Sequence, residues 1–138
     1  MANYCGMTRT NYFKIKDEAK FRKICEGLCG EDNIDVEVTE KDGQLYGFIG
    51  SYSSIDYCVD EEDCDYDWDS FVKQIQEVIT DDDAMLMTEI GNEKLRYLVG
   101  ICTIITSKEV RCVDLETTSF QEAKQMLNNE HWTTKNVY

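Results

Sequence analysis

IDVEVTEKDGQLYGFIGSY, residues 34–52, reads as a β-hairpin, and this reading decides the fold class. Ile34, Val36 and Val38 alternate with Asp35 and Glu37, the period of two expected of a strand with one buried face. Asp42-Gly43 then interrupts the pattern with a residue pair suited to a two-residue hairpin turn. Leu45, Phe48 and Ile49 lie on the return strand, where Gly47 and Gly50 are expected to mark a bulge. A tight hairpin here commits this part of the chain to antiparallel pairing.

Upstream, TNYFKIK (10–16) sets Tyr12, Lys14 and Lys16 against Phe13 and Ile15, a first strand. In KDEAKFRKICEGLCG (16–30), Phe21, Ile24, Cys25 and Leu28 fall at helical spacing on one face. Asp17 suits the start of that helix and Gly30 its end. Downstream, Phe71, Ile75, Val78 and Ile79 predict a second helix over 69–79. The stretch 80–115 reads as a three-strand meander with turns at Gly91-Asn92 and at 106–109. A last helix follows, with Ser119 and Glu122 as a capping box and Phe120, Ala123 and Leu127 on one face. The tail 129–138 is expected to fray unless Trp132, Val137 or Tyr138 docks. The predicted order is β-α-β-β-α-β-β-β-α. It describes an α+β domain with a mainly antiparallel sheet of about five to six strands, three helices and the helices on one face.

The chain has 138 residues, enough for a single domain with its own core. There are 28 acidic against 14 basic residues, a net charge of −14. Such a molecule repels nucleic acid and anionic membranes and attracts cationic surfaces. The absence of an apolar core near the start argues against a secretory signal, and no apolar run approaches the roughly 18 residues of a membrane span. The expected setting is therefore the cytoplasm, with the seven cysteines reduced.

The charge is concentrated. DYCVDEEDCDYDWDS (56–70) holds eight carboxylates and no Lys or Arg. Asp63, Asp65, Asp67 and Asp69 occupy every second position. In an extended chain they would share one face at about 6.6 Å spacing, with Cys64, Tyr66 and Trp68 on the other. Neighbouring charges at that spacing repel by roughly 0.6 kcal/mol in water, a penalty that a cationic partner would remove. Asp56, Asp60, Glu61 and Glu62 precede the row, and Asp81, Asp82 and Asp83 follow the second helix as its extension. Three readings compete: a solvated acidic loop, a cation site and a mimic of nucleic-acid phosphates. The D-x-D-x-D spacing resembles a calcium loop, but Trp68 stands where that loop needs glycine and Gln74 where it needs glutamate. The phosphate-mimic reading accounts for charge, size and lack of catalytic groups together. In it Tyr66 and Trp68 brace the row or anchor it in an interface.

Other constellations carry less. Cys25 and Cys29 fall four residues apart on the first predicted helix, and Cys58 and Cys64 flank acids. Only the first pair has zinc-site spacing, so reduced thiols and no metal are expected. His131 is the one histidine, and GFIGSY (47–52) lacks the lysine of a phosphate loop. No cofactor is predicted. Arg9, Lys14, Lys16, Lys20, Arg22 and Lys23 form a basic N-terminal stretch. They are expected to pair with the protein's own acids, and with Tyr4, Asn11 and Tyr12 they offer an alternative site for an anionic nucleotide.

The opening MANYCGMTRTNYFKIKD (1–17) and EKLRYLVG (93–100) resemble small acidic proteins encoded on phages and conjugative elements of Gram-positive bacteria. Those chains start with a similar M-A-N-x-x-G-x-x-R-T-N-Y-F-x-V-K-D and carry a similar E-K-L-R-Y segment. The resemblance covers both ends of the chain and leaves out the acidic centre. It implies a mobile-element setting, in which acidic inhibitors of host restriction or CRISPR nucleases are found. The expected function is thus a non-enzymatic inhibitor, with no direct nucleic-acid binding, that blocks the basic groove of a host defence nuclease. The alternatives are a protein that sequesters a nucleotide signal and a small regulatory subunit of the element's own machinery.

Overall fold

The computed structural model describes residues 4–58, 67–94 and 97–133. In chain order the elements are β1 (Cys5–Thr10), β2 (Phe13–Ile15), α1 (Glu18–Cys25), β3 (Leu28–Cys29), β4 (Asp35–Lys41), β5 (Gln44–Ser51) and β6 (Asp56–Tyr57). They continue with α2 (Trp68–Val78), β7 (Met85–Glu93), β8 (Tyr97–Ile105), β9 (Val110–Asp114) and α3 (Leu115–Leu127). This is the α+β architecture the sequence predicts, with three helices among the described residues and the long elements in the predicted order. The two-residue strands β3 and β6 pair separately.

The main sheet is antiparallel throughout, and its seven strands occupy six positions. β4 lines one edge of β5, while β1 and β2 lie end to end along the other. β7, β8 and β9 follow outward from β1. The hairpin β4–β5 turns at Asp42 and Gly43, both at positive φ (53° and 79°), as a two-residue turn between right-twisting strands requires.

The predicted bulge is displaced. The β4–β5 register runs unbroken past Gly47 and Gly50. The extra residue is instead in the partner strand: the four steps from Arg9 to Phe13 face the three from Gly50 to Gly47. A Cβ at Gly47 would meet the Phe21 ring, so this glycine makes room for α1. Gly91 likewise is no turn. It pairs with Gly6 in mid-strand, and a Cβ at either would strike the Tyr4 ring. A ring laid over strand glycines restores the packing that the missing side chains leave out. The chain turns later, with Lys94 at φ 51°.

α1 and α2 pack against each other under one face of the sheet. Phe13, Ile15, Phe21, Ile49, Phe71, Ile75, Ile79, Met85 and Ile105 are fully buried between them. α1 starts at the Asp17 cap, as expected, but stops at Cys25. Leu28 still reaches the core, from β3. α3 starts earlier than predicted because Asp114 ends β9 and accepts the Thr117 N–H at 3.1 Å. Its predicted apolar face contributes no buried residue. Leu115 lies over Gly100, on the face away from α1 and α2, so the helices do not all share one face. Phe120 stacks on Trp132 with ring centroids 5.3 Å apart, which docks the start of the tail. Val137 and Tyr138 lie outside the described residues.

Candidate functional site

The acidic segment connects β6 to α2. The Cys58 N–H donates to Gly27 O at 2.9 Å, and the Asp67 N–H donates to Tyr57 O at 2.9 Å. The two ends of the segment are therefore held together as the feet of a closed loop. Asp60, Glu61, Glu62, Asp63, Asp65 and Tyr66, six of the predicted contact residues, lie between those feet and outside the described residues.

The remaining members change the predicted picture. The alternating row does not run extended to Asp69, because α2 begins at Trp68. The Asp67 carboxylate accepts the Ser70 N–H at 3.1 Å and caps the helix, and Asp69 is exposed in its first turn. Both acids face the positive end of the helix, which accounts physically for two of the eight carboxylates. Trp68 is half-buried, with its ring 4.8 Å from Phe71, and Phe71 packs on Tyr57 at 5.3 Å. The Tyr57 hydroxyl accepts from Gln74 Nε2 at 3.0 Å. Trp68 packs against the core ring Phe71. Asp56 is exposed in β6, beside the near foot.

Asp81, Asp82 and Asp83 do not extend this cluster. They lie beyond the far end of α2, an 11-residue helix and so about 16 Å long. Asp83 is half-buried and accepts the Lys14 N–H at 2.7 Å and the Ala84 N–H at 2.8 Å. Asp82 accepts from the Thr80 hydroxyl at 2.7 Å and from Lys14 Nζ at 3.1 Å. Those two donors hold its carboxyl below the usual aspartate range. These acids fasten the α2–β7 connection to β2, and Asp81 alone of the three is exposed without such a bond.

The basic stretch does not converge into a pocket. Arg9 stands over the Phe48 ring at 5.0 Å, and Tyr12 stacks on the same ring at 4.9 Å. The Tyr12 hydroxyl donates to Glu37 at 3.0 Å, which raises its pKa. Tyr4 lies on the opposite face of the sheet, donating to Glu89 at 2.7 Å. Arg22 pairs weakly with Glu18 at 3.9 Å. A groove of about 560 Å³ between α1 and α2 carries Lys20 and Lys23 against Glu26 and Glu77, so its charge is mixed.

Cys25 closes α1 and Cys29 lies in β3, so the two thiols do not share a helix. Burial pushes the Cys25 thiol up to about 12, which keeps it neutral and unreactive. Among the described residues no three His, Cys, Asp or Glu side chains converge as a metal would require. His131 is exposed. Among the described residues no helix is long and apolar enough to cross a membrane.

What the sequence reading missed is on the other side of the sheet. Met7, Leu86, Ile90, Leu98 and Val113 all face away from α1 and α2 and are exposed. The signal was present in MLMTEI (85–90) and YLVGICTII (97–105), which carry apolar residues at both odd and even positions.

The architecture of the described residues is thus a helix-backed antiparallel sheet in which Tyr57 and Asp67, at the two ends of the acidic segment, are hydrogen-bonded to each other. No family model matches the sequence, and no curated protein or solved structure matches it either.

Proposed function

We infer that the protein is a non-enzymatic inhibitor that presents the carboxylates of 56–69 to the cationic nucleic-acid-binding groove of another protein. The observation that carries this reading is the base-free run of eight carboxylates in 56–69, five of which fall in sequence between ends tied by the Asp67–Tyr57 hydrogen bond. A closed loop limits the entropy its carboxylates lose on docking, and the Trp68–Phe71–Tyr57 ring stack anchors its far foot. The mobile-element resemblance points to a CRISPR or restriction nuclease of the host as the partner, and hence to the bacterial cytoplasm.

The test replaces Asp60, Asp63, Asp65 and Asp69 with Asn and leaves Asp67 in place to keep the helix cap. Capture from host lysate at low and high salt should yield a basic nuclease with the parent protein. The variant should lose at least about tenfold in affinity and most of its salt dependence, because charge complementarity is removed. Unchanged capture by a variant with unchanged circular dichroism would show that the segment is not the contact.

A further inference from the structure

Among the described residues, the sheet face opposite α1 and α2 is apolar, and at its β8–β9 side it carries the start of α3, with Leu115 over Gly100. Met7 and Ile90 are register partners near its centre. Leu86, Leu98 and Val113 share the face, and all five are 40–60% exposed. Leu115, 68% exposed, reaches over Gly100 beside them. Together they place apolar area on the order of 500 Å² on one surface, well beyond the scatter of single exposed hydrophobes. Strands that are apolar at both parities, as β7 and β8 largely are, read as strands covered on both faces.

The charge on this face selects the occupant. In a chain with 28 acids, the outward positions of β1, β7, β8 and β9 hold no carboxylate and two arginines, Arg9 and Arg111. Outward-facing strand acids occur at the opposite rim, on β4, where Asp35 and Glu37 face the same way as their partners Gly50 and Phe48. We propose that this face is the contact between two copies of the chain, packed sheet on sheet about a two-fold axis parallel to the strands. β4 and β9 are the two rims of one sheet, so such a rotation lays β4 of one protomer over β9 of its partner. Arg111, which pairs with Glu109 of its own chain at 3.2 Å, then lies opposite Asp35 and Glu37 at both ends of the contact, Glu37 also accepting from Tyr12, and the Met7–Ile90 region meets its symmetry mate in the middle. Two molecules of charge −14 repel overall, and a contact through strand positions without carboxylates keeps that repulsion small. The apolar centre and the charged rims together approach the roughly 800 Å² per partner of a standard interface. α1 and α2 remain on the outside of the pair.

Sedimentation equilibrium of the full chain over the micromolar range tests the contact. The parent protein is expected at twice the monomer mass and Ile90→Asp at the monomer mass, with an unchanged circular dichroism spectrum. Arg111→Glu should weaken self-association at least about tenfold, and adding Asp35→Arg and Glu37→Arg should restore it, since opposite rims meet only in a like pair. A parent protein that stays monomeric overturns the proposal, as does a dimer that survives Ile90→Asp in a folded variant. If Ile90→Asp fails to fold, Leu98→Glu, at the most exposed of the five apolar strand positions, takes its place with the same two outcomes.

Discussion

Asn11 stands where β1 has ended and β2 has not begun, and its side chain does the pairing that the backbone cannot. Its Oδ1 accepts the Leu86 N–H at 2.8 Å and its Nδ2 donates to Ala84 O at 3.0 Å. Its backbone N–H donates to Leu86 O at 3.2 Å. An amide of the right reach thus extends the β1–β7 ladder across the extra residue of the bulge. Asn11→Ala removes one exposed and one part-buried hydrogen bond to the β7 backbone, and the expected loss is about 0.5–1.5 kcal/mol, read from urea unfolding. The amide in TNY (10–12) stands as plainly in the sequence as the rings beside it. Its use depends on β7, which lies about 75 residues on, as the Leu86 separation records.

At the scale of elements, α2 and α3 are both amphipathic in sequence and differ in what they meet. α2 buries Phe71, Val72, Ile75 and Val78 against β-strand residues of the core. α3 buries nothing, because its position beside β8 and β9 leaves no second layer for its apolar side. Phe71→Ala should therefore cost about 3–5 kcal/mol, as deletion of a fully buried ring does. Leu127→Ala, at a position 56% exposed, should stay within about 0.5 kcal/mol. Thermal and denaturant unfolding of the two variants side by side measures the contrast. Equal losses would mean that α3 is packed in solution as the core helices are.

For the whole molecule the governing quantity is the charge of −14. Many of its acids cluster on the β4 rim, in the acidic segment and in the α2–β7 connection, while the outward strand positions of β1, β7, β8 and β9 hold none. Self-repulsion spread in this way should be screened by salt. Stability is expected to rise between low salt and about 0.5 M NaCl, where the Debye length is only a few ångströms. A thermal midpoint that falls with added salt would mean instead that attractive pairs such as Lys14–Asp82, at 3.1 Å, outweigh the repulsion. Screening should also strengthen self-association through the acid-free face and weaken capture of a cationic partner, so the two contacts respond to salt in opposite senses.

The sequence by itself determined the hairpin at Asp42-Gly43, the positions of α1 and α2, the meander and the acidic run, because each depends on periodicity or turn chemistry within some twenty residues. Tertiary structure decided where glycine makes room for a ring, as at Gly47 under Phe21 and at Gly91 under Tyr4. It also decided that Asp67 caps a helix while Asp83 binds β2. The apolar residues of β7 and β8 were legible in the sequence. Which of them lie under the helices and which face outward was not, because a strand shows its two faces only once its neighbours and its register are set.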